Sequence, residues 1–174
     1  AGAQLDTIQQ SVTSELKASV AIVNQLADQI AKANGAIASA RGLGQPPNDL
    51  LDERDRLISQ LSEHVQVSTI PADDGTVGVF IGGGQRLVLG DAAERLEVMR
   101  DPFDGSRSSV GISEGKAATR RMADSALGAG RIAGLLRFQN SDLVDAQNMV
   151  GQMSAAIAQA VNNQQQLGLN LHEP

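Results

Sequence analysis

The chain has 174 residues, 41% hydrophobic but only 2% aromatic, with no cysteine, tryptophan or tyrosine. Its net charge is −6 and its pI about 4.8, which opposes nucleic acid and anionic membrane as partners, since both need a basic surface. The lack of cysteine removes disulfides, thiolate zinc sites and cysteine nucleophiles together. No apolar run approaches the ~18 residues of a membrane span, and no signal peptide is present. The length suits one domain, or one domain with a small lobe. With only Phe80, Phe103 and Phe138 as aromatics, the core must come from Leu, Ile, Val, Ala and Met. There is little to stack against sugars or single-stranded bases.

Residues 3–41 read as one long helix. Leu5, Ile8, Val12, Leu16, Val20, Val23, Leu26, Ile30, Ala33 and Ile37 keep to one stripe. From Val23 the spacing alternates three and four, as in a coiled-coil seam. Asn34-Gly35 could end the helix on turn chemistry, but the stripe continues to Ile37 and Ala40, which favours continuation to Arg41. At 1.5 Å per residue the rod is roughly 55–60 Å long. Gly42 to Pro47 is a turn that folds the next helix back.

That next helix covers Asn48 to Val65. Pro46 and Pro47 bring the chain in extended, and Asn48 is the expected N-cap. Leu50, Leu51, Leu57, Ile58, Leu61 and Val65 share one arc, with Arg54 near its centre. Arg54 either snorkels to the edge of the core or fastens the helix to carbonyls or a carboxylate, with Asp142 as a possible partner. Asp52 and Arg56 form an expected surface pair.

From Gln66 the apolar period changes to two. Strands are expected at 66–70, 76–81, 85–89, 95–99 and 107–112, with 118–122 as one more. Turn residues separate them, at 71–75, 82–84 and 101–105. They form a small antiparallel sheet of consecutive hairpins. A short helix follows at 131–139. A last long helix runs from about Ser141, its expected cap, to Gln166. Its seam is Leu143, Ala146, Val150, Met153, Ile157, Ala160 and Gln164. The glutamine-rich end, Asn162 to Gln166, is either a solvated helix end or a polar seam to a neighbouring subunit. The first and last helices are expected to pack together, with the second filling one side.

The fold class expected is α+β, mainly α: an elongated helical bundle or coiled-coil rod with a small inserted antiparallel sheet. Residues 1–65 and 129–168 form the rod, 66–127 the inserted β subdomain, and 169–174 a tail leading to a missing outer domain. The chain reads as an internal fragment.

Motifs for chemistry are weak. Gly82-Gly-Gly84 lacks the Gly-Lys-Ser/Thr of a phosphate loop and reads as a hairpin turn. Gly128-Ala-Gly130 with Gly134 is one residue off the dinucleotide fingerprint and fits a helix start or close packing better. Asp73-Asp74 reads as a turn, without an EF-hand pattern after it. His64 and His172 stand alone, as helix-end and tail residues. No cofactor, metal or catalytic residue is assigned.

Pro-Asn-Asp-Leu-Leu-Asp-Glu-Arg-Asp at 47–55 resembles the central segment of the bacterial flagellar hook-associated protein 1 family. The segment from Gly84 to Gly90, Gly-Gln-Arg-Leu-Val-Leu-Gly, resembles that family's hairpin. Gly134-Leu-Leu-Arg-Phe138 and Val150-Gly-Gln-Met153 are similar to its following helical region. The similar stretches span roughly residues 20–170 in the family's order. The resemblance implies a structural, non-catalytic adapter at the hook–filament junction. It implies partners in a ring of like subunits, the hook protein and the filament-side junction protein. It also implies an extracellular place in the flagellum, reached by flagellar export without a cleaved signal peptide. The family's terminal assembly segments are not in this chain, so the fragment is expected to be monomeric alone. The heptads alone fit an alternative, a coiled-coil signalling or secretion-system binding module.

Overall fold

The computed structural model describes residues 2–170. Helix α1 spans Gly2–Gly42 without a break at Asn34. At 41 residues it is about 60 Å long. Its burial is wider than one stripe: Ser19, Val20, Val23, Asn24, Ala27, Ala31 and Asn34 are all buried. The reason is that α2 (Asn48–His64), the strands and α3 (Arg131–Arg137) all pack against it. Helix α2 folds back on α1 as expected, with Leu57 and Leu61 in the core.

Seven strands follow: β1 (Val67–Pro71), β2 (Val77–Ile81), β3 (Gln85–Leu89), β4 (Ala92–Ala93), β5 (Arg95–Arg100), β6 (Ser108–Ser113) and β7 (Arg120–Arg121). They form two antiparallel sheets, β1-β2-β3-β4 and β5-β6-β7, rather than the single sheet expected. The division falls at Glu94, whose N–H bonds back to the Leu87 carbonyl at 2.7 Å. The register shifts between Val79 and Phe80 against β3. Such a bulge breaks the alternation of faces, and Leu87 and Val88 are both fully buried. One hydrophobic cluster joins α1, α2, both sheets and α3, from Leu16 and Ile30 to Leu87, Ile112 and Leu136.

The turns are built as their residues predict. Gly82, Gly83 and Gly84 all have positive φ in the β2–β3 turn. Asp74 accepts bonds from the Thr76 N–H and Oγ1, and Asp104 does the same for Ser106. These bonds lower both carboxyls from their ordinary values, with Arg107 adding to the effect at Asp104. Glu53 is also lowered, by Arg56. A depressed folded-state pKa means that the unfolded chain binds protons first as pH falls. The stabilising contribution is therefore complete above the unfolded values and lost as pH drops through the folded ones. Urea midpoints should show no slope from these carboxylates between about pH 7 and 5, and a decline below about pH 4.

Gly128 and Gly130 make a tight helix start, as their spacing suggests. Gly130 has φ +105°, and a Cβ there would sit 2.8 Å from the His64 and Val65 backbone. Gly130→Ala should destabilise the chain by about 3 kcal/mol or more, since neither backbone can yield. A shifted thermal midpoint would show it.

After α3 the helix does not stop. A π-helical segment, Phe138–Asp142, leads directly into α4 (Leu143–Asn170). Ser141 is therefore not a cap. It lies inside the π segment, and no side chain caps that segment.

Candidate interaction surface

Three buried amide side chains hold the helices to the sheets. Each bonds to both the N–H and the C=O of one residue, as a neighbouring strand would. Asn24 of α1 takes Leu96 (2.8 and 2.9 Å). Asn34 of α1 takes Val77 (3.1 and 2.9 Å). Gln139 of the π segment takes Ser108 (2.9 Å each). Edge backbone groups left unpaired in a core would be costly. The amides satisfy them where no strand reaches.

Asn34 does more. Its Nδ2 also donates to the Gly90 carbonyl at 2.8 Å, and its Oδ1 accepts from Arg54 Nη1 at 3.0 Å. Arg54, only 5% exposed, donates from the same nitrogen to the Gly75 carbonyl at 2.6 Å. So α1 and α2 jointly grip the β1–β2 turn through Gly75 and Val77, and the β3–β4 turn through Gly90. Burial lowers Arg54 from its usual pKa, Asp55 opposing and Arg41 assisting. An arginine stays charged under such a shift. Its partners are neutral oxygens, not Asp142, which lies exposed in the π segment. Arg54 thus fastens rather than snorkels. Gly84 stands in the open β2–β3 turn, and Gly90 at φ +59° turns the chain into β4.

Two other expectations are corrected. Asn48 is the first helical residue, not the cap. The Pro47 carbonyl accepts the first helical bond, from Leu51 N–H at 3.0 Å, and no side chain caps the helix. Arg56 pairs bidentately with Glu53, one turn back, rather than with Asp52. Two parallel bonds to one carboxylate outweigh a single i,i+4 contact. His64 ends α2 and bonds Ser19 through Nδ1 at 2.8 Å; His172 lies outside the described residues. Among the described residues no three His, Asp or Glu side chains are placed to hold a metal ion.

The largest departure from expectation is α4. It meets α1, with Leu143 buried and Val144, Ala146 and Val150 half-buried. Every residue of 151–168 is exposed. Met149, Met153, Ile157 and Leu167 are each more than 60% exposed, and Val161 is 48% exposed. The seam spacing read from the sequence is real, buried at Leu143 and exposed from Met153 onward. From Ala146 to Asn170 the helix carries no charged residue. Exposed apolar side chains therefore recur along 149–167, in a stretch without charge.

A long helical rod carrying two small amide-stitched sheets defines a mainly helical structural domain. A family model for the flagellar hook-associated protein FlgK helical domain matches residues 1–174, and the chain belongs to that family. It is 35% identical over 161 residues to flagellar hook-associated protein 1 of Escherichia coli, covering 91% of this chain and 29% of that protein. The Salmonella typhimurium protein of the same name is 35% identical over 159 residues, covering 90% and 29%. The solved flagellar hook junction protein FlgK from Burkholderia pseudomallei matches with a TM-score of 0.73 and 35% identity, covering 80% of this chain and 25% of that one. The chain therefore spans less than a third of the relatives it matches.

The three amides were missed in the sequence because each reads there as a polar interruption of an apolar pattern. The available signal was position. Asn24 lies among Val20, Val23 and Ala27, and Asn34 among Ile30, Ala31 and Ile37.

Proposed function

We propose that this chain is a load-transmitting part of the hook–filament junction of a bacterial flagellum, outside the cell and reached by flagellar export, with no catalytic role. Its neighbours are like subunits in a ring, the hook protein and the filament-side junction protein. The observation that carries the reading is α4: an apolar seam that is exposed from Met153 to Leu167, in a stretch with no charge to repel an adjoining helix. The amide-stitched core keeps the rest rigid while that seam is engaged. No step of the reading needs a cofactor.

The test is genetic. Removing the gene should leave hooks without filaments in electron micrographs, with flagellin in the medium, and restoring it should return filaments. Normal filaments in its absence would sink the reading.

A further inference from the structure

Asn34-Gly35 is the one Asn-Gly pair in the chain, the pairing in which asparagine deamidates most readily. In a free chain the Gly35 nitrogen attacks Cγ of the Asn34 side chain. The N–Cγ bond forms as the Cγ–Nδ2 bond breaks, and Nδ2 leaves as ammonia with the proton of the Gly35 amide. Water then opens the resulting succinimide ring on either side. Opening at Cγ gives aspartate with the main chain restored. Opening at the other carbonyl gives isoaspartate, whose main chain runs through Cγ and is longer by one methylene. Glycine favours the attack because it has no Cβ and its backbone bends freely.

Folding places this pair where the reaction is blocked. Both residues lie inside α1, where the Gly35 N–H is committed to the helical bond four residues back. The Asn34 side chain is fully buried, and Val77, Gly90 and Arg54 hold its Oδ1 and Nδ2 at 2.8–3.1 Å. Neither product can replace it. In aspartate an oxygen takes the place of Nδ2, against the Val77 and Gly90 carbonyls that Nδ2 meets at 2.9 and 2.8 Å. Buried acceptors then face a lone pair instead of a donor, which is costly. Arg54 offsets only the other oxygen. In isoaspartate the extra methylene breaks the hydrogen-bond ladder of α1 and displaces the side chain from both β turns.

We propose that Asn34-Gly35 is a modification site that the fold keeps closed: it deamidates only while the chain is open, and its products cannot rebuild the native core. The residue that ties α1 and α2 to the β turns is thus also the one whose loss makes prolonged unfolding irreversible. The rate in the folded chain is the unfolded rate multiplied by the open fraction, so it is slower by on the order of a thousandfold or more.

The test holds the 174-residue chain in mildly alkaline guanidinium chloride, and in the same buffer without denaturant, with samples taken over days. Peptide mapping should find the mass gain of one amide-to-acid conversion at Asn34 in the unfolded sample and none in the folded one. Hydroxylamine, which cleaves through the same ring, should cut the unfolded chain between residues 34 and 35 and leave the folded chain whole. On dilution the aged chain should lose refolding yield in proportion to the converted fraction, while Gly35→Ala should keep its yield. The added Cβ meets only the Asp91 Cβ, at an ordinary 3.4 Å, and alanine suits a helix interior better than glycine, so that variant folds. Asn34→Asp supplies one product directly and should lower the urea midpoint. Equal conversion with and without denaturant overturns the protection by the fold. Full refolding of the converted chain, equal loss of yield in Gly35→Ala, or an unchanged midpoint for Asn34→Asp overturns the part this site plays in irreversibility.

Discussion

Asn34→Ala is expected to destabilise the chain by about 3–5 kcal/mol. The Asn34 side chain is fully buried and makes four hydrogen bonds. Alanine leaves the Val77 N–H, the Val77 carbonyl and the Gly90 carbonyl without their partner. Each orphaned buried group costs about 1–3 kcal/mol, partly relieved if water enters the space. Arg54 also loses one of its two acceptors, so a buried charge is left less well solvated. Asn24→Ala removes only the two bonds to Leu96 and should cost about half as much. Arg54→Met keeps the apolar stem and should cost about 2–3 kcal/mol. Since Arg54 and Asn34 share a bond, the double variant should fall short of additivity by about 1–2 kcal/mol. Urea denaturation of the four variants measures all of this. A loss below 1 kcal/mol for Asn34→Ala would show that the amide is not the knot between helices and turns.

The helices and most strands were legible because apolar period survives in a single sequence. The alternation at 85–89 yields β3 with the same limits, and the stripe through Ile37 rightly overrides the Asn34-Gly35 turn signal. What was not legible depends on partners distant in sequence. Nothing local at Glu94 announces that it divides two sheets, because the deciding bond runs to Leu87 across the fold. Ser141 looks like a cap because serine before an apolar run usually is one. The π segment absorbs it, and with that extra residue brings Gln139 inward onto Ser108. Arg54 was conspicuous as a charge on an oily face, but its partners are a side-chain amide and a backbone carbonyl, which sequence patterns do not mark. The α4 seam was visible, while its exposure beyond Val150 was not: a heptad says that something will cover it, not what.

Ile157→Asp is expected to separate folding from assembly most sharply. Ile157 is 62% exposed on α4, so the isolated chain should keep its unfolding midpoint within about 0.5 kcal/mol. In the proposed junction contact the same position lies at the centre of a seam that runs from Ala146 through Met153 to Leu167. A carboxylate forced into that contact is left unpaired, because α4 carries no basic residue between Ala146 and Asn170. The desolvation penalty is several kcal/mol per buried charge, enough to empty the interface. Cells making the full-length variant should carry hooks with few or no filaments and release flagellin. Gln159→Asp places the same charge on the opposite side of the helix, two residues or about 200° away, and should leave filaments in place. If both variants swim normally, the seam is not an assembly face. If both fail, charge anywhere on α4 is excluded and the helix must be enclosed on more than one side. Only loss at Ile157 with retention at Gln159 assigns the contact to the seam itself, and that pattern is the expected one because the large exposed apolar residues of α4, Met149, Met153, Ile157, Val161 and Leu167, recur on one face.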